Sequence, residues 1–433
     1  MDSPQKLKIG IIGAGWYGCH IALELRKLGH EIEMFEKNHE IFQGISGSFG
    51  IRLHKGPHYP RSRVTREICR DAYPKLCQLY PDLVVPNERA IYAHGKEDAL
   101  GNPSKVTEQD FHDVCYESAE CESLNPEKLG FRNVNSAYNL DEANIVVGER
   151  LRQAFVDRLR QASVKVRLNS DVQEIVSLNT TTLVKVHGSN YKFDVIVNAT
   201  AYESLIPAQL SKLLPSQIDT TYQSAIGVIY EDLTRRENLT SFIVMDGWYP
   251  CIMPMISSHN THRREYLVIH GCYTILGSFD DYENAKRHLD QLNDSIMDAK
   301  IRPQIDRELE RFWPGYHRRF AYRGWKGGVI AKLKTTGEFR SSLTFEKDGV
   351  VYIFPGKINT VITAAEETIT LINNLIRRRY DIPTTGQDDD VEVFNGVSYT
   401  AHGPLSIASQ EIENKPVPGE LHTSNLQTFA KLG

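Results

Sequence analysis

No two of the seven cysteines in this chain of 433 residues stand in a C-x-x-C arrangement. That absence argues against a zinc module, a disulfide-dense secreted scaffold and a redox-active dithiol. Cysteine use of this kind fits a reduced, cytoplasmic compartment. No apolar run is long enough to span a bilayer. The polar lead MDSPQK passes directly into a strand pattern, without the basic and apolar regions of a signal peptide. Positive charge is not in excess either: the net charge is −5, so no global field points to nucleic acid or an anionic membrane. No internal repeat is present. The hydrophobic share of 41% and charged share of 24% are those of a soluble globular protein. The length allows two domains, each with its own core.

What the chain does have begins at residue 7. The stretch LKIGIIGAGWYGCHIALELRKLGHEIEMFEK runs an apolar strand, Ile9 to Ile12, into Gly13-Ala14-Gly15-Trp16-Tyr17-Gly18. Ile21, Ala22, Leu25 and Leu28 then recur at helical spacing, Gly29 supplies a C-cap, and a second strand from Ile32 to Phe35 ends at Glu36 and Lys37. Strand, glycine turn, helix, strand and acid together meet the requirements of a Rossmann unit. Gly13 permits the tight turn, Gly15 lets backbone approach a pyrophosphate at the helix N-terminus, and Gly18 lets helix pack on strand. Glu36 sits where a carboxylate accepts hydrogen bonds from ribose hydroxyls and repels a 2′-phosphate. The fingerprint alone does not choose between FAD and NAD.

Three later segments bear on that choice. Residues 149 to 200 open with an amphipathic helix, ERLRQAFVDRLRQA. The runs VKVRL, DVQEIVSL and TTLVKVHG then alternate as a β-meander before the buried strand of FDVIVNATA. That strand end resembles the D-x-V-V-x-A-T-G element of flavoproteins with a dinucleotide fold. By this resemblance Ala199 and Thr200 lie beside the first glycine loop and Val172 meets the adenine. Residues 347 to 372 place an Asp348-Gly349 turn and an apolar strand before Pro355-Gly356-Lys357-Ile358-Asn359-Thr360, which opens a long helix. Free N–H groups at such a start can stabilise negative charge on a flavin pyrimidine ring. The third segment is GISGSFGIRLHKGPHYPRS, residues 44 to 62, too glycine-rich for a helix interior and too polar for a core strand.

Together these segments, spanning residues 7 to 375, resemble the FAD-dependent oxidoreductases typified by D-amino-acid oxidase, sarcosine oxidase and glycine oxidase. The resemblance implies an α/β fold: a Rossmann-like FAD-binding domain with a β-meander, plus an antiparallel-sheet α+β substrate domain, discontinuous in sequence. Residues 1–85, 143–215 and 318–382 are expected to form the FAD-binding domain, and 86–142 and 216–317 the substrate-binding domain. Residues 383–433 read as an extended appendage without clear periodicity. The resemblance further implies that Ser46, Gly47 and Ser48 face the FAD pyrophosphate and that Gly50 to Arg52 lie against the flavin. Ala201 departs from the family, which usually has glycine there. A second glycine fingerprint for NAD(P)H is missing, as is the G-D element of aromatic hydroxylases, which speaks against hydroxylation.

Chemistry of this type is a hydride transfer from substrate C–H to flavin N5, with the protein positioning the substrate and excluding water. Arg52, His54 and His58 of the 44–62 loop are the candidates near the ring, as bases, electrostatic stabilisers or, for the histidines, covalent attachment points. Arg340 and Arg323 are the candidates for clamping a substrate carboxylate. Tyr249, His270 and Tyr273, on strands alternating with apolar residues, are the candidates for substrate contact. The expected partners are a small-molecule substrate (amine, amino acid, 2-hydroxy acid or sugar derivative) and molecular oxygen or another electron acceptor. A homo-oligomer, a mutase-like isomerase that uses flavin without net redox change, and a binding protein that retains FAD all remain open.

Overall fold

In the computed structural model the described residues are 6–207, 212–215, 219–234, 239–257, 264–334, 339–380 and 390–407. They divide into two compact units: those within 6–47, 152–220 and 333–407 form one, and those within 48–151 and 221–332 the other. The chain passes between them repeatedly, so both are discontinuous in sequence. Residues 48–85, expected with the dinucleotide-binding part, group with the second unit.

The first unit is built on an eight-stranded sheet. Lys165–Arg167 runs parallel at the sheet's edge, and its inner strands Glu31–Phe35, Lys8–Ile12, Val195–Asn198 and Val350–Phe354 also run parallel. Their runs are apolar because such strands are covered on both faces, as Ile9, Ile11, Met34 and Val197, all fully buried, illustrate. The segment expected to open the meander, Lys165–Arg167, instead joins this sheet beside Glu31–Phe35. The meander itself consists of Val172–Ser177, Thr182–Val186 and Ser189–Phe193. Helix Trp16–Lys27 and helix Val361–Tyr380 pack on each other. Trp16 is buried edge-on between Phe42 and Phe155, with ring centroids at 5.8 and 4.9 Å. Burying an aromatic of this size contributes roughly 2–3 kcal/mol.

The expected appendage is not extended where it is described. Val391–Phe394 and Val397–Thr400 form a hairpin that continues the first unit's sheet through Leu343–Lys347. The reason lies in an edge: Leu343–Lys347 turns back antiparallel on Val350–Phe354 and offers unpaired backbone that the hairpin satisfies. Residues 381–389 and 408–433 of the appendage lie outside the described residues.

The second unit carries a nine-stranded sheet. Most pairings among its described residues are antiparallel, but Arg89–Gly95 and Thr240–Met245 pair in parallel, so the sheet is mixed. One face is covered by helix Glu108–Ser118 through Phe111 and Cys115. The other meets helix Arg302–Phe312, where Phe242 stacks on Phe131 at 4.0 Å. The polar stretch 281–312, expected to return the chain to the dinucleotide-binding part, thus forms helices of this unit, Tyr282–Asp290 and Arg302–Phe312. A small three-stranded sheet joins Ile51–Leu53, Ala143–Ile145 and Val84–Pro86. Among the described residues no helix is long and apolar enough to cross a membrane.

The hairpin's attachment is titratable. Glu367, buried on helix Val361–Tyr380, accepts a hydrogen bond from Thr400 Oγ1 at 2.6 Å, and desolvation pushes its pKa from 4.5 up to about 7. A raised folded-state value means stability is full below about pH 4.5, falls as pH rises toward 7 and levels off above it. Glu367→Gln is expected to flatten that slope and to raise stability at pH 8 by on the order of 2 kcal/mol. Thermal unfolding at pH 5 and 8 measures both.

Candidate functional site

The first unit builds a cradle at the start of helix Trp16–Lys27. Gly13 has φ +96° and donates its N–H to Phe35 O at 2.8 Å, closing the turn. A Cβ on Gly18 would lie 2.0 Å from Gly13 O, so only glycine lets the helix start this close to the loop. The helix has Gly15 at its N-cap, without a side-chain capping bond and without an acid in the first turn. Its first N–H groups and the positive end of its dipole therefore suit a phosphate. Ser46 Oγ would stand 3.1 Å from a Cβ on Gly15, which places the serine at the same loop, and Gly47 is packed on Phe42. Glu36 is buried at the end of the second strand. Its Oε2 accepts from Ala14 N–H at 2.9 Å and its Oε1 from Asn38 N–H at 3.0 Å, so the loop and the acid hold each other.

Distant segments converge on this cradle. Ala199 donates its N–H to Ile12 O at 2.9 Å, and the Ala199 carbonyl would lie 2.7 Å from a Cβ on Gly13. Thr200 bonds Asn198 Oδ1 through its hydroxyl at 2.7 Å. Ala201 adopts φ +58°, the left-handed conformation that makes glycine usual at this position, and Tyr202 follows at φ +64°. Val172 is buried at the first position of the meander. Tyr17 supplies the longest link. Its hydroxyl donates to Lys357 O at 3.0 Å, accepts from Gly356 N–H at 2.9 Å and lies 2.8 Å from Thr360 Oγ1. Desolvation pushes this phenol up to about 12, so it stays a neutral donor and acceptor. Ile358–Thr360 forms a single 3-10 turn that starts helix Val361–Tyr380, with Asn359 and Thr360 buried. The residues fit a dinucleotide: glycine contacts, an uncapped helix start and a second helix start tied to it. Two predicted side chains act elsewhere. The Trp16 indole is core, and exposed Lys37 pairs with Glu203 at 3.1 Å.

The second unit holds the histidines. Arg52 lies on strand Ile51–Leu53, whose pairing sets Leu53 opposite Ala143 and so brings Glu142 alongside. Arg52 Nε stands 3.8 Å from Glu142 Oε2, and both side chains are almost fully buried. The guanidinium lies 5.1 Å from the Tyr92 ring centre. Glu142 also accepts from Tyr92 OH and from Lys55 N–H, each at 2.8 Å. Burial opposes the Arg52 charge, yet Tyr92, Cys251 and Glu142 hold its pKa above the ordinary value. Burial likewise raises Glu142, against the pull of Arg52. Arg52 Nη2 is 2.9 Å from His58 Nδ1. A guanidinium only donates, so His58 accepts there and its neutral ring carries the proton on Nε2. His54 is buried, its ring 5.6 Å from His58 and 5.3 Å from Tyr59. Arg61 pairs with Asp246 at 2.6 Å. Ser48 accepts from Lys326 Nζ through its carbonyl at 3.4 Å.

The remaining candidates are dispersed. His270 is fully buried: Nδ1 accepts from Cys272 N–H at 3.2 Å, Nε2 faces Glu308 at 3.7 Å, and desolvation lowers its pKa. Tyr273 stacks near it at 4.7 Å, and Tyr249 lies edge-on to Phe312 at 5.6 Å. Register separates these from Arg52. His270 pairs with Pro250 and Cys251 with Ile269, so His270 and Cys251 point to opposite faces of the sheet. Cys251 Sγ is the atom near Arg52 Nη1, at 3.9 Å. Arg323 is half exposed and paired with Glu231 at 2.6 Å. Arg340 lies in the first unit, where its carbonyl accepts Lys357 N–H at 3.1 Å. Glu142, Tyr92 and Cys251 were not legible as site residues, because nothing near them in sequence marks their convergence on Arg52. Among the described residues no group of acidic, histidine or cysteine side chains is arranged to hold a metal ion.

Gly18→Ala forces its Cβ onto the Gly13 carbonyl and is expected to weaken dinucleotide retention at least about tenfold, read by release of cofactor fluorescence. Glu142→Ala leaves the Arg52 charge buried and uncompensated. Chemical denaturation is expected to show a loss of about 3–5 kcal/mol.

The profile of the family described as FAD dependent oxidoreductase (DAO) matches residues 8–360. The FAD-dependent monooxygenase kojA of Aspergillus flavus is 52% identical over 432 residues, covering 100% of this chain and 99% of its own. Among solved structures, NikD, described as an unusual amino acid oxidase, gives a TM-score of 0.66 at 13% identity, with 89% of this chain and 96% of its own covered. Glycine oxidase from Geobacillus kaustophilus gives 0.61 at 15% identity, with coverage of 88% and 96%. At these identities the solved structures speak for the fold alone. With the matched profile and a cradle that fits the cofactor, the chain belongs to the FAD-dependent oxidoreductases of the D-amino-acid oxidase and glycine oxidase type, an enzyme with FAD as its cofactor.

Proposed function

We propose that this flavoenzyme oxidises a small, polar and electrically neutral substrate, an alcohol or sugar derivative, at a C–H beside oxygen. The observation that carries the reading is the charge balance around Arg52. Arg52 faces Glu142, Arg61 is paired with Asp246, and His58 is held neutral by the bond it accepts from Arg52. A carboxylate entering such surroundings meets the cations Arg52 and Arg61 already paired with Glu142 and Asp246, and burying an unpaired charge costs several kcal/mol, on the order of 3–5. A hydroxyl meets donors and acceptors instead. Among the substrates the family resemblance admits, amino acids and 2-hydroxy acids are therefore the less suited.

FAD, when bound, accepts the hydride that leaves the substrate carbon. In this reading His58 donates its Nε2–H to the substrate oxygen and so orients it. His54, beside it, takes the proton from the reacting hydroxyl. Arg52 fixes the His58 tautomer, and Glu142 fixes Arg52. Arg340, bound through its carbonyl to Lys357, contributes positive charge at the Gly356 turn. Oxygen is the proposed electron acceptor.

A second reading, insertion of an oxygen atom, is favoured by the kinship with an enzyme named a monooxygenase at 52% identity. The two readings differ in what must supply electrons. Under the first, an uncharged alcohol bleaches the long-wavelength flavin band without oxygen or reduced nicotinamide, and the matching carboxylate does so far more slowly. Bleaching only after reduced nicotinamide is added, with label from isotopic oxygen in the product, would establish the second. A substrate isomerised without bleaching or oxygen uptake would overturn both. Within the first reading, His54→Asn is expected to lower kcat by about 10²–10⁴ while KM changes little. Stopped-flow bleaching rates separate that from a loss of FAD.

A further inference from the structure

Two cysteines belong neither to the glycine cradle nor to the groups that hold Arg52, yet share one pocket of the second unit's core. Cys115 lies near the end of helix Glu108–Ser118, and Cys121 is the first residue of strand Cys121–Leu124. Cys115 belongs to the cluster of Phe111, Tyr138, Leu140 and Tyr92, and Cys121 packs against the same cluster. The packing follows from register: Cys121 sits opposite Leu140, itself a member, so the strand begins under the helix it has just left. Cys115 is fully buried and Cys121 half-buried. The Cys121 thiol and burial together hold Cys115 protonated, and the Cys115 thiol favours the ionised form of Cys121. Both are free thiols. The spacing is wider than C-x-x-C, so no sequence motif marks the pair.

We propose that Cys115 and Cys121 form a hydroperoxide-responsive dithiol, with Cys121 the attacking and Cys115 the resolving thiol. The Cys121 sulfur attacks hydrogen peroxide: an S–O bond forms, the O–O bond breaks, and hydroxide leaves and is protonated to water. The Cys115 sulfur then attacks the sulfenic sulfur of Cys121. An S–S bond forms, the S–O bond breaks, and the departing hydroxide takes the Cys115 proton as a second water. The dithiol loses two electrons and the peroxide gains them. The half-exposed thiol meets the oxidant, and the buried neighbour stops oxidation before the irreversible sulfinic stage. The resulting disulfide ties the end of helix Glu108–Ser118 to the edge strand of the sheet. A flavoenzyme that reduced oxygen would make its own oxidant, but the dithiol responds to peroxide from any source.

The test uses the FAD-loaded protein, treated with one equivalent of hydrogen peroxide, quenched with N-ethylmaleimide and mapped by peptide mass spectrometry. The expected result is a loss of two hydrogens, two fewer maleimide labels and a peptide joining Cys115 to Cys121 that dithiothreitol releases. In Cys115→Ser, Cys121 is expected to gain one oxygen at the same dose and a second when a further equivalent is added. Conversion of Cys121 in the unsubstituted protein to its sulfinic acid without the joined peptide would overturn the proposal. So would a Cys121 still labelled at doses that oxidise Cys251 or Cys272.

Discussion

The cofactor half of this protein depends on one half-buried phenol. Tyr17 stands in the first turn of the helix that follows the glycine loop, and its hydroxyl joins Gly356, Lys357 and Thr360 near the other end of the sequence. Without it the Gly356 N–H would lose the acceptor it has here, and an unmade hydrogen bond away from water costs about 1–3 kcal/mol. The phenol therefore does more than add a contact. It fixes the distance between two helix starts. Glycines at 13, 18 and 356 make the approach possible, since a Cβ at any of them would strike backbone. Because the phenol stays neutral, the link does not vary across the physiological pH range.

The second unit solves a different problem, that of keeping a cation in its interior. Arg52 is held by a carboxylate, an aromatic face and an imidazole, and Glu142 in turn is satisfied by Tyr92 and a backbone N–H. Buried ion pairs of this kind add little stability compared with an apolar core, but they give orientation. Here the orientation passes to His58, whose tautomer is set by Arg52. The balance of charge also shapes what the surroundings accept, and the proposed preference for an uncharged substrate rests on that balance rather than on any one residue.

Much of this was legible because it is local. The glycine spacing of residues 13–18, the helical recurrence of Ile21, Ala22 and Leu25 and the acid at Glu36 lie within a single supersecondary unit, where periodicity reads directly as geometry. The strand end at Ala199, expected beside the glycine loop, lies there, with its N–H on Ile12 O and its carbonyl against Gly13. What failed was pairing. Lys165–Arg167 alternates like a meander strand but lies in the parallel sheet, and Val391–Thr400 has the composition of a loose tail but completes an edge. Alternation marks a strand without naming its neighbour.

The division between sequence and fold follows from range. The chain by itself determined the nucleotide-binding class, the reliance on glycine at the turn and the presence of a second, sheet-rich unit, because these rest on contacts within a few tens of residues. Only the tertiary structure decided that Glu142 faces Arg52 and that His58 is a donor at Nε2. It also decided that His270 points away from Arg52, and that Cys115 and Cys121 share a pocket. Each of these depends on strand register, and a shift of one residue reverses the face to which every side chain points.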